Sequence, residues 1–183
     1  MKLFLSIFII IFFLIAAAAI FMWSGRYNVA ATVPHWDITA RLMEGALSRS
    51  IKFHSRGIQP PSLKDSKLIK VGFREYHAMC RSCHGAPGYS PNEFAQGLYP
   101  KPPNLGSKGM PQLNEAELYW VVKNGIKMTG MPAFGQTHDQ DELWAIVAFL
   151  KRMPNMRPKE YEAMVKETGR HEEGEKHHHE VKR

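Results

Sequence analysis

The sequence predicts an all-α fold. Few of its segments alternate apolar and polar residues as a half-buried strand would. Apolar residues instead recur at helical spacing behind helix-start signals at Asn114 and Asp139, and the run from Leu3 to Trp23 is too long for a strand.

That first run, residues 1–23, is apolar apart from Ser6 and flanked by Lys2 and Trp23, with enough length for a hydrocarbon core that needs roughly 20 helical residues. The expectation is an uncleaved transmembrane anchor. Ala16 to Ala19 offer small residues for a signal peptidase, but a signal core usually spans only about 7–15 residues. Arg26 opposes export of the chain beyond the span, because positive flanks favour the cytoplasmic side.

Residues 24–65 read as a basic juxtamembrane segment. A helix is expected from Asp37 to Phe53, with Ile38, Leu42, Ala46 and Ile51 on one side, before the break at Gln59-Pro60-Pro61-Ser62. This segment reads as a spacer arm partly packed on the adjoining domain, with a helix on lipid headgroups or on a partner as the alternatives. One domain should then fill residues 66–154. It opens with a helix whose face is formed by Leu68, Val71, Gly72, Glu75, Tyr76 and Met79. Gly85 to Met110, rich in Gly, Pro, Asn and Ser, reads as loop. Asn114 with Glu117 starts a helix carrying Leu118, Val121 and Val122, ended by Gly125. Asp139 with Glu142 starts another, carrying Leu143, Trp144, Ile146, Val147 and Leu150 and stopped near Pro154. Residues 155–183 are almost wholly polar and are expected to be a disordered tail to which only Met164 and Val165 contribute core-forming side chains.

The first helix runs into Cys80-Arg-Ser-Cys83-His84, the attachment signature of covalent c-type haem. On one helical turn the two thiols point the same way and can form thioethers with two vinyl groups, and the imidazole of His84 then lies under the ring as proximal ligand. A carbonyl in the loop after His84 must accept the Nδ1 proton to fix the imidazole. A thioredoxin-like dithiol is the alternative, but it normally opens a helix after a buried strand, and nothing strand-like precedes Cys80. Both cysteines of the chain are used by this reading, which leaves none for a disulfide.

Between the last two helices lies Lys127-Met128-Thr129-Gly130-Met131-Pro132-Ala133-Phe134-Gly135. A thioether sulfur is a soft ligand that favours reduced iron, so Met131 is the expected distal ligand, with Met128, Met110 or a histidine as alternatives. Gly130 allows close backbone approach, Pro132 restricts the loop and Phe134 can pack on the ring. His77 is expected to face away from the iron and His138 to sit on the surface. The edge formed by Gly85-Ala86-Pro87 and the Met131 loop is the expected docking face.

Residues 66–154 resemble a class I cytochrome c domain. The resemblance rests on Gly72 and Tyr76, Cys80-Arg-Ser-Cys83-His84-Gly85, Pro102-Pro103-Asn104-Leu105, Thr129 to Phe134, and Leu143 to Leu150, in that order. It implies helices crossing closely around Gly72 and Phe149, one haem c held by Cys80 and Cys83, and axial ligation by His84 and Met131. It also implies redox proteins as electron donor and acceptor, typically periplasmic dehydrogenases, reductases or respiratory complexes. The expected setting is the bacterial inner membrane, single-pass, with the haem domain in the periplasm.

The formal charge is +7, yet residues 66–154 hold ten Lys or Arg against seven acids, so the domain itself is only mildly basic. No aromatic or basic stripe supports nucleic-acid binding. His177, His178 and His179 offer weak divalent-metal coordination, although a solubilising tail needs no such role. The functional expectation is a membrane-tethered single-electron carrier and not an enzyme. The alternatives are a fixed haem subunit of a larger oxidoreductase and, further off, a haem enzyme or gas sensor.

Overall fold

A computed structural model describes residues 2–106 and 113–168. The chain divides into two units, Met1–Pro34 and His35–Arg183. In the first, α1 (Lys2–Trp23) is long and apolar enough to cross a membrane by length and composition. Ser6 satisfies its own hydroxyl by donating to the Lys2 carbonyl (3.1 Å), so this one polar side chain within the apolar run is not left bare. Gly25, at φ +70°, turns the chain out of the helix.

The second unit is all-α, with no strand among its described residues. Its helices are α2 (Asp37–His54), α3 (Ser66–Glu75), α4 (Arg81–His84), α5 (Glu93–Gln96), α6 (Glu115–Asn124), α7 (Gln140–Arg152) and α8 over 158–168. A single π turn, Tyr76–Cys80, joins α3 to α4. Short 3₁₀ turns lie at Phe134–Gln136 and Met153–Asn155.

Local chemistry sets these boundaries. The Asp65 carboxylate accepts the Lys67 N–H (2.9 Å) and starts α3. Asn114 and Glu117 form a capping box at α6, and Asp139 and Glu142 another at α7, each with reciprocal bonds of 2.9 Å. Gly125 ends α6 at φ +65°, where an L side chain would be strained.

The core is built around α7, in which every residue from Leu143 to Leu150 is buried. A helix apolar only on one stripe could not be covered all round; here Ala145 and Ala148 are small enough to admit neighbours on the remaining sides. α3 crosses α7 at Gly72, where a Cβ would overlap the Ala145 carbonyl. Phe73 meets Phe149 edge-on (5.5 Å between centroids), and Tyr119 of α6 stacks on Trp144 (4.1 Å).

Two expectations need correction. The buried face of the first helix is Gly72, Phe73, Tyr76 and Cys80, whereas Leu68, Val71, Glu75 and Met79 are only half-buried. Phe73 is buried because Phe149 and Tyr161 cover it, and beyond Glu75 the π turn inserts one residue into the helical repeat and rotates the motif relative to α3. Residues 155–168 are not a disordered tail. They follow the 3₁₀ turn into α8, whose Tyr161 is fully buried against Phe73 (5.1 Å) and Phe149 (6.2 Å), with Lys70 paired to Glu167 (2.7 Å) at the rim. Burying one large aromatic supplies stabilisation that a polar composition does not advertise. Residues 169–183, with His177, His178 and His179, and Met110 lie outside the described residues.

Candidate functional site

The site begins where α3 turns into α4. Cys80 is buried and Cys83 half-buried, one helical turn apart, and no disulfide joins them. Burial pushes the Cys80 thiol up to about 12, with Cys83 and Glu75 adding to the effect. No strand precedes Cys80 among the described residues, which argues against a thioredoxin-like dithiol, a motif that opens a helix after a buried strand.

His84 closes α4. Its Nδ1 donates to the carbonyl of Pro103 (2.8 Å), while its own backbone carbonyl accepts the Leu105 N–H (2.9 Å). A carbonyl can only accept, so the proton resides on Nδ1 and the Nε2 lone pair is free for a ligand. Burial holds the imidazole below its ordinary value, with the Pro103 bond acting in the opposite direction. The neutral tautomer that a metal requires is therefore the one this site favours. Tyr76, fully buried, donates its hydroxyl to the Gly85 carbonyl (2.6 Å) and ties the turn after His84 back to the π turn. Gly85 sits at φ +66° with the Tyr89 carbonyl 2.9 Å from where a Cβ would stand, so both space and dihedral require glycine.

Met131 is half-buried in the loop between α6 and α7. Its N–H donates to Thr129 Oγ1 (3.1 Å), its carbonyl accepts the Ile126 N–H (3.2 Å), and Thr129 Oγ1 donates to the Ile126 carbonyl (2.8 Å). Gly125 lets the Met131–Pro132 backbone come close, since a Cβ there would lie 2.7 Å from the Met131 carbonyl oxygen. Met128, by contrast, is 82 % exposed at the loop tip and holds φ +60°.

One segment touches both halves of the site. Pro103 and Leu105 grip His84, and Leu98 packs against Gly130 next to Met131, 3.1 Å from a Cβ position there. The structure thus brings Cys80, Cys83 and His84 onto one turn and links the Met131 loop to the segment that orients His84. The sequence gives no signal for Leu98, because a lone apolar residue in a loop carries no pattern.

His77 is held away from this set, with Nδ1 2.9 Å from the Tyr161 hydroxyl and its ring stacked on Phe73 (5.6 Å). His138 is not a surface residue. Its side chain is 13 % exposed, edge-on to Phe134 (5.5 Å) and with Nε2 3.7 Å from a Glu75 carboxylate oxygen, because the 3₁₀ turn folds it back over α3. Gly85, Ala86 and Pro87 are buried as well. The paired backbone bonds between Ala86 and Tyr89 (2.8 and 2.9 Å) fold this stretch inward, so these three residues do not form the exposed edge expected of them.

Two thiols on one turn, an imidazole presenting Nε2 and a thioether in the loop before α7 are the residue types that would fit haem c. The all-α fold and this set define a class I c-type cytochrome domain. Residues 67–150 match the family model described as cytochrome C oxidase, cbb3-type, subunit III. Over 145 residues the chain is 27% identical to a protein of Acetobacter aceti named alcohol dehydrogenase (quinone), dehydrogenase subunit. That alignment covers 73% of this chain and 18% of the relative, so the chain spans less than a fifth of the relative's length. No solved structure matches.

Proposed function

We propose that this chain is a membrane-tethered monohaem cytochrome c that passes single electrons between redox proteins. In this reading α1 is the anchor in the bacterial inner membrane and the domain stands in the periplasm. Cys80 and Cys83 would be the thioether anchors, and His84 Nε2 and the Met131 sulfur would ligate the iron. The observation that carries the reading is the bond from His84 Nδ1 to the Pro103 carbonyl (2.8 Å), which fixes both tautomer and ring orientation directly after the cysteine pair.

Haem c supplies a one-electron ferric/ferrous couple when bound. The residues of the chain do the rest. Pro103 holds His84 still, and the hydrogen bonds of Thr129 and Ile126 hold the Met131 backbone still, so neither donor has to move when the charge changes. Were His84 and Met131 both to ligate the iron, no ligand position would be left for a small-molecule substrate, which supports the reading as a carrier. The exposed tip Lys127-Met128 beside Met131 is the part of the site that a partner can reach.

A second reading, a fixed subunit of a larger oxidoreductase, is favoured by the descriptions of the matching family and relative, one a subunit of an oxidase and the other of a dehydrogenase. Visible and near-infrared spectra of the full-length protein, expressed in cells able to attach c-type haem, test the proposal. Covalent haem with a sulfur-to-iron charge-transfer band, lost in Met131→Ala, is the expected result; covalent haem without the band overturns the His/Met assignment. Recovery from native membranes as a stable stoichiometric complex would replace the free carrier by the subunit reading.

A further inference from the structure

Helix α2 contributes no residue to the haem site. At about 100° of turn per residue, Ile38, Leu42, Ala46 and Phe53 fall within an arc of about 80°. This stripe is exposed: Ile38 is 62 %, Leu42 66 % and Phe53, with the Arg56 guanidinium 5.3 Å from its ring centroid, 61 % exposed, and Trp36, one residue before the helix, is 64 % exposed. Ile51, expected on the side of Ile38, Leu42 and Ala46, instead lies on the opposite side and is only 5 % exposed, because the chain packs that face on the domain, and His54 stacks on Trp120 of α6 (5.6 Å). The C-terminal end of α2 is therefore fixed to the domain by one face while the opposite face is presented outward.

The charges are sorted in the same way. Arg49 lies within the stripe and Arg41 and Lys52 border it, whereas the acids Asp37 and Glu44 lie farther round the helix. Aliphatic and aromatic residues edged by long basic side chains, with a tryptophan at one end, form the surface that settles at the boundary between anionic headgroups and acyl chains. Arginine and lysine reach the phosphates while their stems lie along the apolar stripe.

We propose that α2 lies flat on an anionic bilayer surface, with Ile38, Leu42, Ala46 and Phe53 inserted below the headgroups. This rests on the reading of α1 as a membrane anchor. The 13 residues between Trp23 and Asp37 can extend no farther than about 45 Å, so an inserted α1 keeps α2 within reach of lipid at all times. Such a linkage makes the second contact an intramolecular event, with a high effective concentration of surface. Because α2 is packed on α6, its docking also fixes which side of the domain faces the lipid, and electrons must then enter and leave from the sides.

The test uses full-length holoprotein in vesicles of phosphatidylcholine with about 30 % phosphatidylglycerol as the chosen probe composition. With Cys80 and Cys83 consumed by haem, Leu42→Cys and Glu44→Cys each carry one environment-sensitive fluorophore. Quenching is expressed as the bimolecular rate constant, each slope divided by that sample's own unquenched lifetime, so energy loss to haem cancels. Vesicle flotation is scored in parallel. The expected result is flotation, several-fold stronger quenching at position 42 than at 44 by lipids spin-labelled on the acyl chain, and the reverse order with aqueous iodide. Adding Arg41→Glu and Lys52→Glu should reduce the lipid quenching at 42 several-fold without abolishing flotation. Flotation with iodide quenching at both positions overturns the docking of α2 and leaves the anchor standing. A blue-shifted label at 42 that neither quencher reaches overturns it in favour of a protein partner or second copy. Failure to float overturns the anchor, and the docking with it.

Discussion

The α-carbon of Gly72 rests directly on the peptide of Ala145, close enough that a Cβ would overlap its carbonyl oxygen and crowd the Ile146 nitrogen. The obstacle is backbone within a buried helix, which cannot swing aside as a side chain can. Gly72→Ala is therefore expected to push α3 and α7 apart and destabilise the holoprotein by about 3 kcal/mol, read as a lowered denaturant midpoint. An unchanged midpoint would show that the crossing tolerates separation.

Tyr161 divides its contribution between ring and hydroxyl. Tyr161→Phe keeps the contacts with Phe73 and Phe149 and loses only the bond to His77 Nδ1, an expected cost of about 1 kcal/mol. Tyr161→Ala opens the core and should cost about 4 kcal/mol. Equal effects in urea unfolding would mean that the hydroxyl, not the ring, holds α8 down.

The Asp139 carboxylate accepts from both Asp141 N–H and Glu142 N–H (2.9 Å each). Asp139→Ala should lose about 1–2 kcal/mol in the same measurement, and Asp139→Asn considerably less, since asparagine caps almost as well.

These caps show which parts of the fold are legible in the sequence. A capping box is written in residues three apart, so Asn114/Glu117 and Asp139/Glu142 disclose both helix starts without reference to anything distant. The haem motif is equally local, and so is the need for a carbonyl partner to His84 Nδ1, although only the fold identifies Pro103. What stays hidden depends on neighbours far along the chain. Phe73 is buried because Phe149 and Tyr161 cover it, and the π turn at Tyr76–Cys80 shifts the register with no residue to signal it. Tyr161 does leave a trace: with Met164, Val165 and Thr168 it makes an i, i+3, i+4, i+7 stripe, masked by the polar residues around it.

For the axial ligand the expected contrast is between two methionines. Met131→Ala should lower the reduction potential by on the order of 0.1 V or more and let carbon monoxide perturb the ferrous spectrum at neutral pH. Met128→Ala, which alters an exposed loop tip, should leave potential and spectrum as they are. The opposite pattern would transfer the ligand to Met128.

Burial holds the His77 imidazole below its ordinary value, and the Arg81 guanidinium adds to this. The unfolded chain takes up this proton near pH 6.5, whereas the folded protein waits for a lower pH, so the unfolded state binds more protons in between. The stability contributed by His77 is thus complete above about pH 6.5 and disappears as pH falls through the lower folded value. The thermal midpoint of the holoprotein should fall more steeply between about pH 7.5 and 5 than that of His77→Phe; parallel curves would remove His77 from the pH dependence.

Phe73, Cys80, Phe149 and Tyr161 share one buried cluster, yet its last member arrives late. A ribosome adding roughly 5–20 residues per second takes roughly 4–18 s to proceed from Phe73 to Tyr161. Over the first part of that interval α3 has neither α7 nor α8 to close over it, and over the last part it has α7 alone. The ring that completes the cover over Cys80 thus enters the cluster only after the cysteine pair, α6 and α7 have all been synthesised.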